Sequence, residues 1–210
     1  VTAAIAEERG PGRFAFRHPL FRAAVYDQLG AAGRAESHAR IAVVLQEMAA
    51  EPAVLAHHLA RSAVLGNAEA AARYAVAAGD TAMGRLAYET ASQHYGQALE
   101  LAPDAIDRVE VLVRRADADA ATGHVAAARA GYETAAELAA GRPAELAAAA
   151  LGRSGGAGME VVPDEPSRTL LRRALAAVDD RTPALRARLL ARLSIVVAAS
   201  ASPEQHAGLV

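Results

Sequence analysis

The sequence predicts an all-α fold built from stacked helix pairs, and three observations carry that prediction. Hydrophobic residues make up 53% of the 210, yet aromatics only 4%, so alanine supplies most of the apolar content. Alanine is the best helix former and a poor core filler, which suits helices packed closely together. The second observation is a recurring pattern. Ala91-x₃-Tyr95-x₂-Ala98, followed by Pro103, returns 37 residues later as Ala128-x₃-Tyr132-x₂-Ala135, and a weaker copy, Ser167-x₃-Leu171-x₂-Ala174, lies a further 39 residues on. Spacings of four and three put each trio on one helical face, where small residues admit a second helix and the large one fills the space between. The third is upstream: Gly79 lies 12 residues before Ala91, and Ala116 stands at the same place in the second copy, with Gly123 as a turn before its helix.

A helix with a small residue, a turn, an Ala-x₃-aromatic helix and then proline is the tetratricopeptide (TPR) pattern, whose period is roughly 34 residues. The periods here are longer, and the Trp and Leu of the TPR first helix are missing. The expectation is therefore a TPR-like helix-pair superhelix, with Gly79, Ala91, Tyr95, Ala98, Ala128, Tyr132 and Ala135 as structural repeat positions. The alternative, an alanine-rich antiparallel bundle, does not require several separate positions to recur in register.

Composition narrows the chemistry. All 22 basic residues are arginine. A P-loop needs a lysine to reach the β- and γ-phosphates, so this sequence contains none, and lysine Schiff-base chemistry is excluded with it. Without cysteine there is no disulfide framework, thiol nucleophile or cysteine-based zinc site. The net charge of −2 gives no global attraction to nucleic acid or anionic membranes. No apolar run approaches the ~18 residues of a membrane span, and the start does not resemble a signal peptide. The cytoplasm is the expected location.

Taken in order, Val1 to Glu8 reads as a helix end or a short strand, and Gly10-Pro11-Gly12 as a turn. The alternation of Arg13-Phe14-Ala15-Phe16-Arg17 fits a half-buried strand, the one credible β segment. His18-Pro19 opens a helix with Phe21, Val25 and Leu29 as its apolar stripe, stopped by Gly30. A second helix runs from about Gly33 to Ala50 with Ile41, Leu45 and Met48 on one face, and a third from Pro52 to about Leu65. A turn, a strand and two helices that could pack on it read as the end of a winged-helix unit. The domain boundary is placed at Gly66-Asn67, giving 1–66 as winged-helix remnant with its connecting helix and 67–210 as the repeat region. Helix pairs follow from Ala68 to Ala140, with breaks at Ala102 to Asp104 and at Gly141-Arg142-Pro143. Gly152 to Pro166 reads as the longest non-helical stretch, and loops of that length are functional or mobile. Helices at about Ser167 to Val178 and Pro183 to Ala199 come next, and Ser202-Pro203-Glu204 looks like a further helix start. Both termini look cut from something longer.

Phe16-Arg17-His18-Pro19-Leu20-Phe21-Arg22-Ala23-Ala24-Val25-Tyr26 resembles a segment of STAND-class signalling ATPases, especially the large ATP-binding LuxR-type regulators of actinobacteria. Arg34-x₃-His38-x₂-Ile41-Ala42, Leu55-Ala56-His57-His58-Leu59, Arg85-Leu86-Ala87-Tyr88-Glu89-Thr90-Ala91, Ala149-Ala150-Leu151-Gly152 and the run from Pro183 to Leu193 look like the same proteins. No one motif is diagnostic; their order and spacing across nearly the whole chain carry the resemblance. It implies an ATPase module ending in a winged helix, then a TPR-like region, then a LuxR-type helix-turn-helix. This chain corresponds to the end of the first part and the start of the second. The resemblance further implies a non-enzymatic role in signal transduction and transcription regulation. The region would receive a protein or small-molecule inducer on the repeat surface and contact the ATPase module of the same chain. DNA would be reached only through a C-terminal domain absent here. No cofactor is expected in this segment, with ATP or ADP implied for the longer protein. The rival readings are a TPR-like scaffold fused to another effector, such as a kinase or cyclase, and a nucleotide-hydrolysing domain, against which the missing lysine argues.

His18, Leu20 and Arg22 resemble the winged-helix histidine motif of STAND proteins, with Pro19 where that motif has Asp. The resemblance implies that His18, with Arg22, senses bound nucleotide, and a histidine at a helix start is suited to touch phosphate. The simpler expectation is a capping histidine. His57 and His58 are adjacent, so they point to different helix sides and cannot form an i, i+4 metal pair, and His38, His94, His124 and His206 show no ligand spacing. No metal site is expected. Arg168, Arg172, Arg173, Arg181, Arg186, Arg188 and Arg192 make the C-terminal part basic, but Asp164, Glu165, Asp179 and Asp180 beside them predict a solvated face with local ion pairs. Asp117 and Asp119, two apart, face different ways, and no catalytic arrangement stands out.

Overall fold

The first elements are a hairpin of β1 (Ala6–Gly10) and β2 (Arg13–Phe16), paired antiparallel with Ala6 opposite Phe16 and Glu8 opposite Phe14. The sequence expectation of one β segment is corrected here: Ala-Glu-Glu-Arg-Gly has little strand propensity of its own, but pairing across the tight Gly-Pro turn recruits it. Helices follow as α1 (Pro19–Gln28), α2 (Ala31–Glu47), α3 (Pro52–Arg61), α4 (Ala68–Gly84), α5 (Tyr88–Leu101), α6 (Arg108–Ala121), α7 (Val125–Leu138), α8 (Pro143–Arg153), α9 (Glu165–Ala177) and α10 (Pro183–Ser200). The computed structural model describes residues 5–11, 13–155, 164–179 and 181–200. The residues from Ser202 and most of the expected Gly152–Pro166 loop lie outside them. What is described there shortens the loop, since α8 continues to Arg153 and α9 starts at Glu165.

The fold is an all-α helical-repeat fold with one small sheet. From α2 onward each helix packs against the next, and α8 also touches both α6 and α10. From α6 onward the first helices of successive pairs thus meet each other, the arrangement expected of stacked repeats. Proline in the first turn starts α1, α3, α8 and α9, where a missing N–H costs nothing. The turn between α6 and α7 passes through Gly123 at φ +84°, whereas the equivalent turn between α4 and α5 places Leu86 at φ +59°. The first pair therefore carries backbone strain that the second avoids with glycine.

All nine residues of the three repeat trios are buried, including Ser167, Leu171 and Ala174 of the weaker copy. One apolar cluster runs from Ala135 through Leu146, Leu171 and Leu189 to Val196, joining α7 to α10. Another joins α2, α3 and α4 through Ala42, Leu55, Leu59 and Ala71, so packing is continuous through Gly66-Asn67. Two expected apolar faces are corrected. Phe21, Val25 and Leu29 of α1 stay exposed, because α1 meets β2 and, through Tyr26, His38 of α2 without burying any residue. On α2 the buried face is Ala35, His38 and Ala42, leaving Met48 71% and Ile41 43% exposed. Small residues win that face because α3 then approaches closely. No helix among the described residues is long and apolar enough to cross a membrane.

Candidate functional site

Two arrangements concentrate polar chemistry. The first repeats with the fold. The Tyr95 ring lies where a Cβ on Gly79 would come within 2.5 Å of it, so only glycine fits that position of α4. Its hydroxyl donates to Asp80 Oδ1 at 2.8 Å. In the next pair Tyr132 donates to Asp117 Oδ1 at 2.6 Å, also 15 residues upstream, and its ring is seated against Gly152 of α8. Burial, reinforced by these bonds, pushes both phenols far above their ordinary range, and burial raises the Asp117 carboxyl. Each pair ties one helix to its neighbour through a tyrosine–aspartate bond. Asp119, two residues on, accepts from Ser92 at 2.5 Å. Sequence reading missed this partnership, although the signal was present as an aspartate 15 residues before each repeat tyrosine.

Arginines then tie each unit to the one before. Arg114 reaches Asp80 at 2.7 Å, Arg142 pairs with Asp107, Arg173 donates to the Ala136 carbonyl and Arg192 to the Ser154 carbonyl, across 34 to 38 residues. The Arg142 guanidinium, with the Glu110 and Val109 amides, holds the Asp107 carboxyl down at about 2. Arg153 is 6% exposed and donates to Glu133 at 2.7 Å, Asp164 at 3.1 Å and Ser167 Oγ at 2.8 Å. The basic C-terminal part is thus partly structural, while Arg168–Glu165 and Arg181–Asp179 match the local surface pairs expected there.

The second arrangement sits where α1, α2 and α3 meet. His18 caps α1, its Nδ1 accepting from the Leu20 N–H at 3.2 Å, and its exposed ring stands edge-on to Phe21. No hydrogen bond or ion pair joins it to Arg22. Arg22, Tyr26 and Asp27 on one side of α1 face a recess of about 530 Å³ whose other walls carry His38 of α2 and His57, His58 and Arg61 of α3. His38, 8% exposed, is central: its Nε2 is 3.0 Å from the Tyr26 hydroxyl and its Nδ1 is 2.9 Å from His58 Nδ1. The His57 ring stands against both. Burial lowers the affinity of His38 and His58 for a proton, and the neighbouring imidazoles lower it further, with Arg61 adding to the effect on His38. Sequence reasoning treated these histidines as unrelated because His38 is 20 residues from His58 and the α2–α3 turn alone brings them together. Among the described residues no group of three or more ligating side chains has metal-binding geometry.

A third feature is a groove of about 600 Å³ along the first helices α6, α8 and α10, lined by Val113, Ala148, Leu185 and Ile195 with Asp117 and Arg188 among them. Comparison with protein-family models, curated proteins and solved structures finds no match to this chain.

Proposed function

We propose that this chain is the signal-reception and protein-interaction region of an ATP-dependent, LuxR-type transcription regulator, acting in the cytoplasm. The observation that carries the reading is the groove on α6, α8 and α10. It is a concave, mostly apolar surface formed by the repeated first helices, with an arginine, Arg188, that makes no hydrogen bond or ion pair to other described residues. A site with apolar walls and few polar groups suits an inducer or a partner segment. Exposed Phe14, Leu20, Val43 and Met48 at the N-terminal end suit contact with an ATPase module of the same chain. In that assembly His18 and Arg22, both exposed at the start of α1, would face ADP and hold the resting state. DNA would be read by a separate C-terminal domain.

The experiment is transcription from a promoter controlled by the longer protein. Ala148→Arg, at an exposed position in the middle of α8, fills the groove without entering the core. It should hold output at the uninduced level with inducer present. His18→Ala should raise uninduced output and weaken ADP by about tenfold to a hundredfold, as loss of one charge-assisted bond to phosphate implies. Full induction in Ala148→Arg, or a longer protein without a P-loop upstream and a helix-turn-helix downstream, overturns the proposal.

A further inference from the structure

The recess between α1, α2 and α3 has a charge pattern that packing does not explain. Arg22 and Arg61 both line it, and neither makes a hydrogen bond or ion pair with any described residue. Guanidinium groups left unpaired in a concave site present a forked donor array matched to oxyanions. Asp27 is the one carboxylate in the lining, against two guanidiniums and three imidazoles. Arg34 lies 5.5 Å over the Tyr26 ring, adding positive charge at the rim.

We propose that this recess is a proton-coupled binding site for a small tetrahedral oxyanion of the phosphate type, held by Arg22 and Arg61 and charge-matched by the His38–His58 pair. This site does not depend on the regulatory reading. The proton arithmetic follows from the bonds. At an Nδ1···Nδ1 separation of 2.9 Å, one of the two nitrogens carries a hydrogen and the other accepts it. The pair therefore takes up one further proton, for example on His58 Nε2, with that contact intact. A second proton would set two N–H groups against each other and open it.

Without an anion, charging of the pair is disfavoured, since burial and His57 oppose it at both rings and Arg61 opposes it at His38. A dianion beside it reverses the local field and raises its affinity for that proton. Between the lowered proton affinity of the empty site and the raised one of the filled site, binding takes up a proton. Affinity must then rise as pH falls through that window and level off below it, by at most about tenfold per pH unit for one proton.

The test is calorimetric titration of the 210-residue chain with sodium sulfate, which stays a dianion throughout, at constant ionic strength between pH 8 and pH 5.5. Sulfate should bind more tightly towards low pH, with net proton uptake read from buffers of different ionisation heat. Arg61→Gln and Arg22→Gln, at residues with no structural partner, should each weaken it about tenfold or more. His58→Gln should keep binding but remove the pH dependence. Inorganic phosphate and ADP are then compared. Preference for either upholds the site and says whether a free anion or a nucleotide phosphate fills it. Absence of binding at pH 5.5, equal affinity in the Arg22→Gln/Arg61→Gln double variant, or a flat pH profile overturns the proposal. Circular dichroism confirms that each variant is folded.

Discussion

Tyr132→Ala should lower stability by about 4 kcal/mol, within the usual range for deleting a buried aromatic, and lower the melting temperature by roughly 10 °C for a chain of this size. The side chain is fully buried and touches three helices: α6 through Ala116 and Ala120, its own α7, and α8 at Gly152. Its neighbours are mostly alanine and glycine, which cannot reach into the cavity left behind. The hydroxyl adds a separate part. Tyr132→Phe leaves the half-buried Asp117 carboxyl without its donor and should cost about 1 kcal/mol. Urea denaturation of both variants measures the two parts, and an unchanged midpoint for Tyr132→Ala would remove the residue from the core.

Arg153→Leu should cost about 3 kcal/mol, at the low end for breaking a buried ion pair. One guanidinium holds Glu133 of α7, Asp164 at the start of α9 and the buried Ser167 hydroxyl, so its loss leaves three groups without their partner at the α7–α8–α9 junction. The figure stays low because Glu133 and Asp164 keep contact with water and Asp164 still accepts from the Ser167 amide at 2.8 Å. Arg181→Leu, at a residue 92% exposed beside Asp179, is the contrast and should change stability by less than about 0.5 kcal/mol. Equal losses in the two variants would mean that Arg153 is no more than a surface charge.

Both effects explain what the sequence disclosed. The repeat trios were legible because burial at fixed helical spacing leaves a one-dimensional trace: small, large, small at four and three. The Ser167 copy looked weak, yet Ser167 is buried as well as the alanines are, and the hydroxyl is there to accept from Arg153. The partners of those trios were not legible, since pairing Tyr95 with Asp80 or Arg114 with Asp80 depends on the length and direction of the intervening turns. The face of α2 was misread by following bulk, when close approach to α3 selects Ala35 and Ala42 over Ile41 and Met48. The same turn geometry assembles Tyr26, His38 and His58 from three helices with no sequence spacing to announce it.

Each repeat tyrosine is fitted against a glycine of a neighbouring helix, Tyr95 against Gly79 of the preceding helix and Tyr132 against Gly152 of the following one. The direct measurement is the stability of Gly152→Ala in two backgrounds, wild type and Tyr132→Leu, leucine being what the third copy carries as Leu171. A Cβ at residue 152 would lie 2.2 Å from the Tyr132 ring, so in wild type the change should destabilise by about 2 kcal/mol through overpacking. With the ring gone, the better helix propensity of alanine should make it neutral or stabilising by up to about 1 kcal/mol. A loss of the same size in both backgrounds would contradict the fitted pair.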